Sequence, residues 1–266
     1  MAACRWRCRR ARPRNATPEM WRRCVHLAAE ADLRLHTHVN ENEAQAARFA
    51  ATPEGRDVVA LSSWGALGSR LVMAHCVWLN DHERRLVRDH GAHVCHCPSA
   101  NLKLASGIAP VPEYLEAGIN VALGADGAAC NNRLDALTEM RLAALVHKPR
   151  RGPRAMPARR VLEMATIGGA RALGLDREIG SLEVGKRADV VTVRLDAVHA
   201  APGGGSDPAD RVVYAAQATD VDTVIVDGRP VVVGGVLQTA DVASIRADAE
   251  VARGVLLDRC EFPGPR

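Results

Sequence analysis

Hydrophobic and polar positions change their period along the chain, and the change divides it into two kinds of structure. Over roughly the first half, short apolar runs alternate with amphipathic stretches. The apolar runs predict β-strands over 34–39, 69–77, 92–98 and 120–126, and the stretches between them predict helices. This alternation is typical of βα units, in which a parallel sheet is buried on both faces. The pattern therefore predicts the α/β fold class.

Residues that favour helix ends support these helices. Thr17 stands before a proline, as an N-cap residue does before a first-turn proline. The segment 80–91 has a helical pattern. Asn80 at its start is a plausible N-cap, and Gly91 ends it. A longer helical pattern follows Pro157 and extends to about residue 175.

The second half of the chain has the two-residue period of hairpins. The segments 180–195 and 223–237 predict antiparallel strands, and the second turns at Asp227-Gly228, which favours a type I′ turn. A Gly- and Pro-rich stretch over 199–211 predicts a flexible loop between them. A terminal helix is predicted from residue 241.

Composition restricts the class of protein. The chain has 266 residues, and 47% are hydrophobic but only 3% are aromatic, so its core is expected to consist of aliphatic side chains. The net charge is +4, but residues 1–14 hold six arginines and no acid, which leaves −2 for the remainder. This tail could bind nucleic acid or a membrane, or could target the protein, but we prefer a disordered extension.

Cysteine use and hydropathy point to the cytoplasm. Eight cysteines show no C-x-x-C pair, and the chain carries no secretory signal, so reduced thiols are expected. No apolar run approaches the ~20 residues of a membrane span.

Candidate catalytic residues follow the predicted strands. His38 and Glu41 follow the first strand, His75 ends the second, His93 and His96 lie in the third, and Asp126 ends the fourth. In a parallel βα barrel the carboxyl ends of all strands open on one face, so these side chains are expected to converge. Imidazole and carboxylate are ligands of catalytic zinc or iron, and such a metal lowers the pKa of its water towards ~7.

The spacing of these residues indicates which strands they follow. His36 and His38 could be the His-x-His pair of a first barrel strand, but Asp126 lies only 88 residues after His38. Three βα steps of about 30 residues fill that gap, so the strand is interpreted as the fifth of eight. Cys95-His96-Cys97 could also suggest zinc, but strand alternation places the cysteines opposite His96, and strand packing is preferred.

Several segments resemble the amidohydrolase superfamily, and in particular its branch of 5-methylthioadenosine/S-adenosylhomocysteine deaminases and triazine or chlorohydrolase-type enzymes. The resemblance extends from about residue 18 to about 240, and it depends on "HTHVNEN", "MAHCVWL", "HCPSANLKLASGIAPVPEYLEAGINVALGADGAACNN" and "IGSLEVGKRADVVTV". It implies a metal-bearing (β/α)8 barrel joined to a small β-sandwich.

The resemblance also implies residue roles. His38 would be a metal ligand, and Glu41 would contact the substrate and carry protons to its ring nitrogen and leaving group. His75 would orient the attacking hydroxide, and Asp126 would bind the metal and accept a proton from its water. Asn101 is a weaker candidate for a substrate contact. Glu139 and Arg141 are interpreted as bracing the barrel.

One departure from the family pattern affects the predicted site. Family members carry a further His-x-His pair on the first strand, and no such strand is found here, so two of four ligands, His38 and Asp126, remain. The chain is therefore expected to be the C-terminal part of such an enzyme. Its expected parts are a disordered tail (1–16), barrel strands five to eight (17–175), part of a β-sandwich (176–240) and a C-terminal helix and tail (241–266).

The expected cofactor is one divalent metal ion, with zinc preferred over iron. The preferred function is hydrolytic deamination of an aminated purine, nucleoside or related heterocycle. The alternatives are a dechlorinating hydrolase of the same family and an inactive half barrel that acts by association with another chain. The expected partners are a small heterocyclic substrate and, because a half barrel leaves two sheet edges, a second copy of the chain. A membrane is not expected, and nucleic acid ranks last.

Overall fold

The computed structural model describes residues 13–52 and 55–260. The first twelve residues of the predicted disordered tail lie outside this range. Pro13–Asn15 form a 3-10 turn, and the carbonyl of Pro13, which is buried, accepts a hydrogen bond from Trp21 Nε1 at 3.1 Å. The end of the predicted tail is therefore ordered, because it packs against the first helix.

Four strands and twelve helices of the described residues belong to one compact unit, which contains the residues up to Lys186 and Leu195–Ala218. The strands are Leu35–Val39 (β1), Leu71–His75 (β2), His93–His96 (β3) and Val121–Leu123 (β4). The helices are Pro18–Glu30 (α1), Glu43–Ala50 (α2), Asp57–Ser63 (α3), Asp81–Asp89 (α4), Pro98–Lys103 (α5), Val111–Glu116 (α6), Ala128–Asn131 (α7), Ala136–Leu145 (α8), Lys148–Arg151 (α9), Ala158–Ala165 (α10), Ile167–Leu173 (α11) and Pro208–Tyr214 (α12).

The four strands form a parallel sheet in the order β1-β2-β3-β4. The predicted α/β class and parallel sheet are confirmed, whereas membership of the sheet in a barrel stays a prediction. Along β1, buried residues alternate with half-buried ones, and the half-buried positions are His36 and His38. The register places His38 beside Ala74, Ala74 beside Cys95 and Cys95 beside Ala122. These residues form one row across one face of the sheet.

The observed helix ends agree with those predicted from the capping residues for two helices but not for a third. Thr17 caps α1, and Asn80 caps α4 in a reciprocal arrangement with Glu83, as its sequence position predicted. The single helix predicted over 158–175 is wrong. The chain bends at Thr166, whose φ of −117° and ψ of −95° are not helical, and this bend separates α10 from α11.

The second unit contains Arg187–Arg194 and the residues from Thr219 onward. It holds an antiparallel sheet of Val190–Val193 (β5), Val221–Val226 (β6), Arg229–Val233 (β7) and Val236–Leu237 (β8), followed by the helix Val242–Cys260 (α13). Asp227 and Gly228 both have positive φ, 52° and 76°, as the predicted type I′ turn requires. The antiparallel strands are confirmed, and a complete sandwich stays a prediction.

The flexible loop predicted over 199–211 is wrong at its end. Asp207 caps α12, which begins at Pro208 and belongs to the first unit. The carboxylate of Asp207 accepts a hydrogen bond from Ala209 N, and Pro208 occupies the first helical position. Both features favour the start of a helix, although glycines precede it. No helix of the described residues is both long and apolar enough to cross a membrane.

Candidate metal centre

Three side chains from three strand ends meet at one point. His38 of β1, His75 of β2 and Asp126, which follows β4, each offer one ligand atom, and these atoms lie within 4.8 Å of one another. His75 Nε2 is 3.9 Å from Asp126 Oδ2, and the ring centroids of His38 and His75 are 5.1 Å apart. The convergence expected from parallel strand ends is therefore present.

The backbone turns sharply where it carries these residues. His75 has a φ of 70° and Asp126 a φ of 61°, and Asn40, just after β1, has a φ of 42°. These values lie in the left-handed region, which is uncommon for residues other than glycine and is found mostly where the surrounding structure enforces it. The turns direct the strand ends towards the common point.

The buried side chain of Asn101 holds the ring of His75. Asn101 Oδ1 and His75 Nδ1 are 2.8 Å apart, and both side chains are almost fully buried. Because the amide oxygen can only accept, Nδ1 carries the hydrogen and Nε2 keeps its lone pair. His75 Nε2 is buried and has no hydrogen-bond partner among the described residues. The substrate contact of Asn101 stays a prediction, and its visible contact is with His75.

This donor set fits a divalent metal ion. Two imidazoles and one carboxylate are ligands that zinc accepts, and three protein ligands are what catalytic zinc sites provide. The buried, unpartnered Nε2 of His75 fits such an ion, because a buried polar atom without a partner is costly. His75 was predicted to orient the hydroxide, and its position beside His38 and Asp126 also suits it to bind the metal.

Replacing Asn101 by Leu is expected to lower the zinc affinity of the chain about 10- to 100-fold, as loss of a residue that orients a ligand does. The leucine fills a similar volume but leaves the His75 ring without its acceptor. Competitive titration with a coloured chelator measures the change. Asn101→Asp keeps an acceptor oxygen and is expected to stay near the wild-type affinity. Equal affinity in Asn101→Leu and the wild type would contradict the orienting role.

A buried glutamate, Glu139, stabilises the loop that carries Asp126. Glu139 of α8 accepts hydrogen bonds from Asn131 Nδ2 at 2.8 Å and Ser99 N at 3.1 Å. Asn131 Nδ2 also donates to the carbonyl of Ala125 at 2.7 Å. Glu139, which is 1% exposed, thus fixes the residue before Asp126, and its bracing role takes this specific form.

Glu41 lies near the centre but is not part of the donor group. Burial raises the pKa of the Cys130 thiol, and the neighbouring carboxylates Asp126 and Glu41 raise it further. Both carboxylates are therefore close enough to Cys130 to act on its thiol. His36, whose pKa is lowered by burial and then by His38 and His75, also lies beside the group without joining it.

The buried residue Glu83 contacts the segment between His38 and Glu41, and the sequence analysis missed it. Its carboxylate accepts hydrogen bonds from Arg56 Nε at 2.6 Å and from Asn40 Nδ2 at 2.8 Å. Glu83 is fully buried. A signal was present, because Asn80-x-x-Glu83 has the spacing of a capping box. That pattern predicts the contact with Asn80 but not the one with Asn40.

The expectation that a histidine of the third strand converges with the other strand ends is wrong, because neither His93 nor His96 joins the donor group. His96 instead lies beside a second buried histidine. His96 of β3 and His147, which precedes α9, have ring centroids 6.1 Å apart. Burial lowers the pKa of His96 to about 3 and that of His147 to about 4. Both nitrogens of His96 lack a hydrogen-bond partner among the described residues. The two rings are therefore neutral in the folded chain at neutral pH.

These histidines make the fold sensitive to acid. A histidine in the unfolded chain titrates near pH 6.5. Between pH 6.5 and about 3, His96 is therefore protonated in the unfolded chain but neutral in the folded chain. The contribution of these histidines to the free energy of unfolding is complete above pH 6.5 and decreases as the pH falls. At pH 5 the decrease is about 2 kcal/mol per histidine. Urea unfolding at pH 7 and pH 5 measures this loss. His96→Leu is expected to lose less, whereas His82→Gln, at an exposed position, should match the wild type. An equal loss in His96→Leu would contradict this assignment.

Comparison with known proteins places the chain in a recognisable group. The model of the Amidohydrolase family matches residues 9–231. The chain is 44% identical to a 5-methylthioadenosine/S-adenosylhomocysteine deaminase of Moorella thermoacetica, over 88% of this chain and 55% of that protein. It is 40% identical to a 5'-deoxyadenosine deaminase of Methanothermobacter thermautotrophicus, over 92% of this chain and 56% of that protein.

Solved structures similar to this chain include a deaminase and a chlorohydrolase. An adenosine deaminase from Xanthomonas campestris with bound zinc is similar with a TM-score of 0.87 and 36% identity, over 91% of this chain and 55% of that one. An atrazine chlorohydrolase from Arthrobacter aurescens complexed with zinc has a TM-score of 0.81 and 33% identity, over 88% and 52% of the two chains. The chain spans about half the length of the curated relatives it matches.

Proposed function

The chain belongs to the amidohydrolase family, and we propose that it is the metal-binding part of a hydrolytic deaminase that acts on an aminated purine, nucleoside or related heterocycle. The observation that carries this proposal is the convergence of His38, His75 and Asp126 within 4.8 Å. The similarity to deaminases of 5-methylthioadenosine, S-adenosylhomocysteine and 5'-deoxyadenosine supports the substrate class.

Each residue of the centre has a proposed part in the reaction. His38 and Asp126 hold one divalent ion, with zinc preferred because two similar structures contain zinc, and His75 Nε2 lies beside them, 3.9 Å from Asp126 Oδ2. When bound, the ion acts as a Lewis acid that lowers the pKa of water. Asp126 Oδ2 accepts the proton of the attacking water, and His75 orients that water. Glu41 protonates the ring nitrogen, recovers the water's proton from Asp126 and delivers it to the departing amine. The hydroxyl proton of the adduct then returns to Glu41 as ammonia leaves, so that both carboxyl groups regain their starting states.

A dechlorinating hydrolase is the second candidate, because the chain is also similar to an atrazine chlorohydrolase. The same water attack at an electron-poor ring carbon serves both reactions, and only the leaving group differs. The greater identity to the deaminases favours the loss of ammonia.

The sheet β1–β4 is proposed to correspond to strands five to eight of an eight-stranded barrel, with β5–β8 as part of a sandwich. Within the described residues the outer edges of β1 and β4 carry no partner strand, and such edges favour pairing with a further strand. Association of two chains is proposed for this reason, and a half barrel that acts only by association is the inactive alternative. A cytoplasmic location is proposed because the thiols of Cys76, Cys95, Cys97 and Cys130 are not in disulfide bonds.

The proposal is tested on the zinc-loaded chain with 5'-deoxyadenosine, 5-methylthioadenosine and S-adenosylhomocysteine. Ammonia release and the fall in adenine absorbance are measured, with chloride release from a chlorotriazine as the second assay. The matched control is Glu41→Gln, which is expected to bind zinc normally and to release ammonia at least about 100-fold more slowly, within the range of a lost general acid. A zinc-loaded chain that releases no ammonia, or an equally active Glu41→Gln, would contradict the proposal.

A further inference from the structure

Two thiols at the end of β3 lie side by side. Cys95 lies in β3, and Cys97 follows it two positions later, just before α5. Cys97 Sγ donates a weak hydrogen bond to the carbonyl oxygen of Cys95 at 3.7 Å. Neither thiol is in a disulfide bond.

Gly124, which follows β4, leaves space for this pair. A Cβ atom at this position would lie 2.6 Å from Cys95 Sγ and 3.4 Å from Cys97 Sγ. The first distance is a collision, so a larger residue at 124 would displace the Cys95 sulfur. One point beside the backbone of Gly124 is thus close to both sulfurs.

The geometry favours a shared ligand over a disulfide. The Cα atoms of residues two apart in a strand are ~6.6 Å apart, which is near the upper end of the disulfide range. Two sulfurs that each bind one soft atom at ~2.3 Å with a tetrahedral angle are about 3.8 Å apart, because the ligand separates them. Both sulfurs lie within 3.4 Å of one point beside Gly124, so a shared ligand requires little backbone movement.

The two cysteines differ in their exposure to solvent. Cys95 is partly exposed, whereas Cys97 is only 2% exposed. The neighbouring Cys97 thiol lowers the pKa of the Cys95 thiol, which favours the thiolate that attacks a soft centre. Cys95 would therefore react first, and Cys97 would then close the ring.

We propose that Cys95 and Cys97 form a bidentate binding site for trivalent arsenicals, distinct from the centre of His38, His75 and Asp126. The reaction is a condensation in which no atom is oxidised or reduced. Two arsenic–sulfur bonds form, the two S–H bonds break, and the arsenical oxygen leaves as one water with both protons. Cys95 shares a row with His38 but lies two strands away, about 10 Å at the usual strand spacing. Asp126 is nearer, because its carboxylate acts to raise the pKa of both thiols, but neither sulfur belongs to the donor group.

The probe is phenylarsine oxide, added to the folded 266-residue chain and followed by intact-protein mass spectrometry. Cys4 and Cys8 lie outside the described residues and form a second close pair in sequence, so both are replaced by Ser in every sample. One arsenical is expected per chain, stable to excess glutathione and removed by 2,3-dimercaptopropanol. Cys95→Ser and Cys97→Ser are each expected to lose this stable uptake at least tenfold, whereas Cys24→Ser, the matched control, should keep it.

A second measurement does not depend on variants that fold. Proteolysis of the labelled wild-type background should place the arsenical on the peptide that contains both Cys95 and Cys97. Stable uptake that survives loss of either thiol, label on another peptide, or uptake only in urea would overturn the proposal. Oxidation with a hydroperoxide is run in parallel, and a Cys95–Cys97 disulfide that forms faster than the arsenical adduct would overturn the preference for a shared ligand.

Discussion

Replacing Asp126 by Asn is expected to lower the zinc affinity of the chain by more than about 100-fold, because loss of a ligand should exceed the effect of losing a residue that only orients one. Asp126 supplies the only negative charge of the three-residue donor group. Asparagine keeps the size of the side chain and tolerates the left-handed backbone at this position, where φ is 61°. The change therefore removes the charge while it preserves the turn.

Equilibrium dialysis against zinc, with metal content measured by mass spectrometry, gives the affinity of each variant. Asp89→Asn is the matched control, because Asp89 is an exposed aspartate of α4 that pairs with Arg88. It is expected to bind zinc like the wild type. Wild-type affinity in Asp126→Asn would mean that the ion is held elsewhere, and the proposed centre would be wrong.

Replacing Glu83 by Ala is expected to lower the free energy of unfolding by about 3–5 kcal/mol, the range found when one partner of a buried ion pair is removed. Glu83 is fully buried, and its loss would leave Arg56 without its carboxylate and Asn40 Nδ2 without its acceptor. Asn40 stands between His38 and Glu41, so zinc affinity is expected to fall in the same variant.

Urea unfolding followed by circular dichroism measures this loss. Glu116→Ala is the matched control, because Glu116 pairs with Arg151 at the surface and is 64% exposed. An exposed pair contributes about 0–1 kcal/mol, so the control should unfold close to the wild type. A loss in Glu83→Ala no larger than in Glu116→Ala would contradict the structural role of the buried pair.

The strands and the main donor residues could be predicted from the sequence because they depend on local patterns. Apolar runs of strand length indicate β1 to β4, and parallel strands bring their carboxyl ends to one edge whatever the loops between them do. His38, His75 and Asp126 stand at such ends, and this position alone predicts their convergence. The assignment of catalytic roles within the group stays a prediction.

The supporting contacts could not be predicted because they join residues that are distant in sequence. Asn101 contacts His75 from 26 residues away, and Glu83 contacts Asn40 from 43 residues away. Left-handed backbone at His75 and Asp126 is also set by the tertiary structure, because neither residue type requires it. The helix α12 was missed because the three glycines before it resemble a linker.

The pairing of β1 with β2 makes the metal centre depend on strand register. His38 lies opposite Ala74, and Thr37, opposite Met73, points to the other face. A shift of β1 by one residue would turn every side chain to the opposite face, so His38 would enter the apolar layer and Thr37 would replace it. An ion bound by His38, with its water held by His75, would therefore stabilise the two strands in their native alignment, and a chain whose β1 had shifted by one residue could not bind the ion in this way.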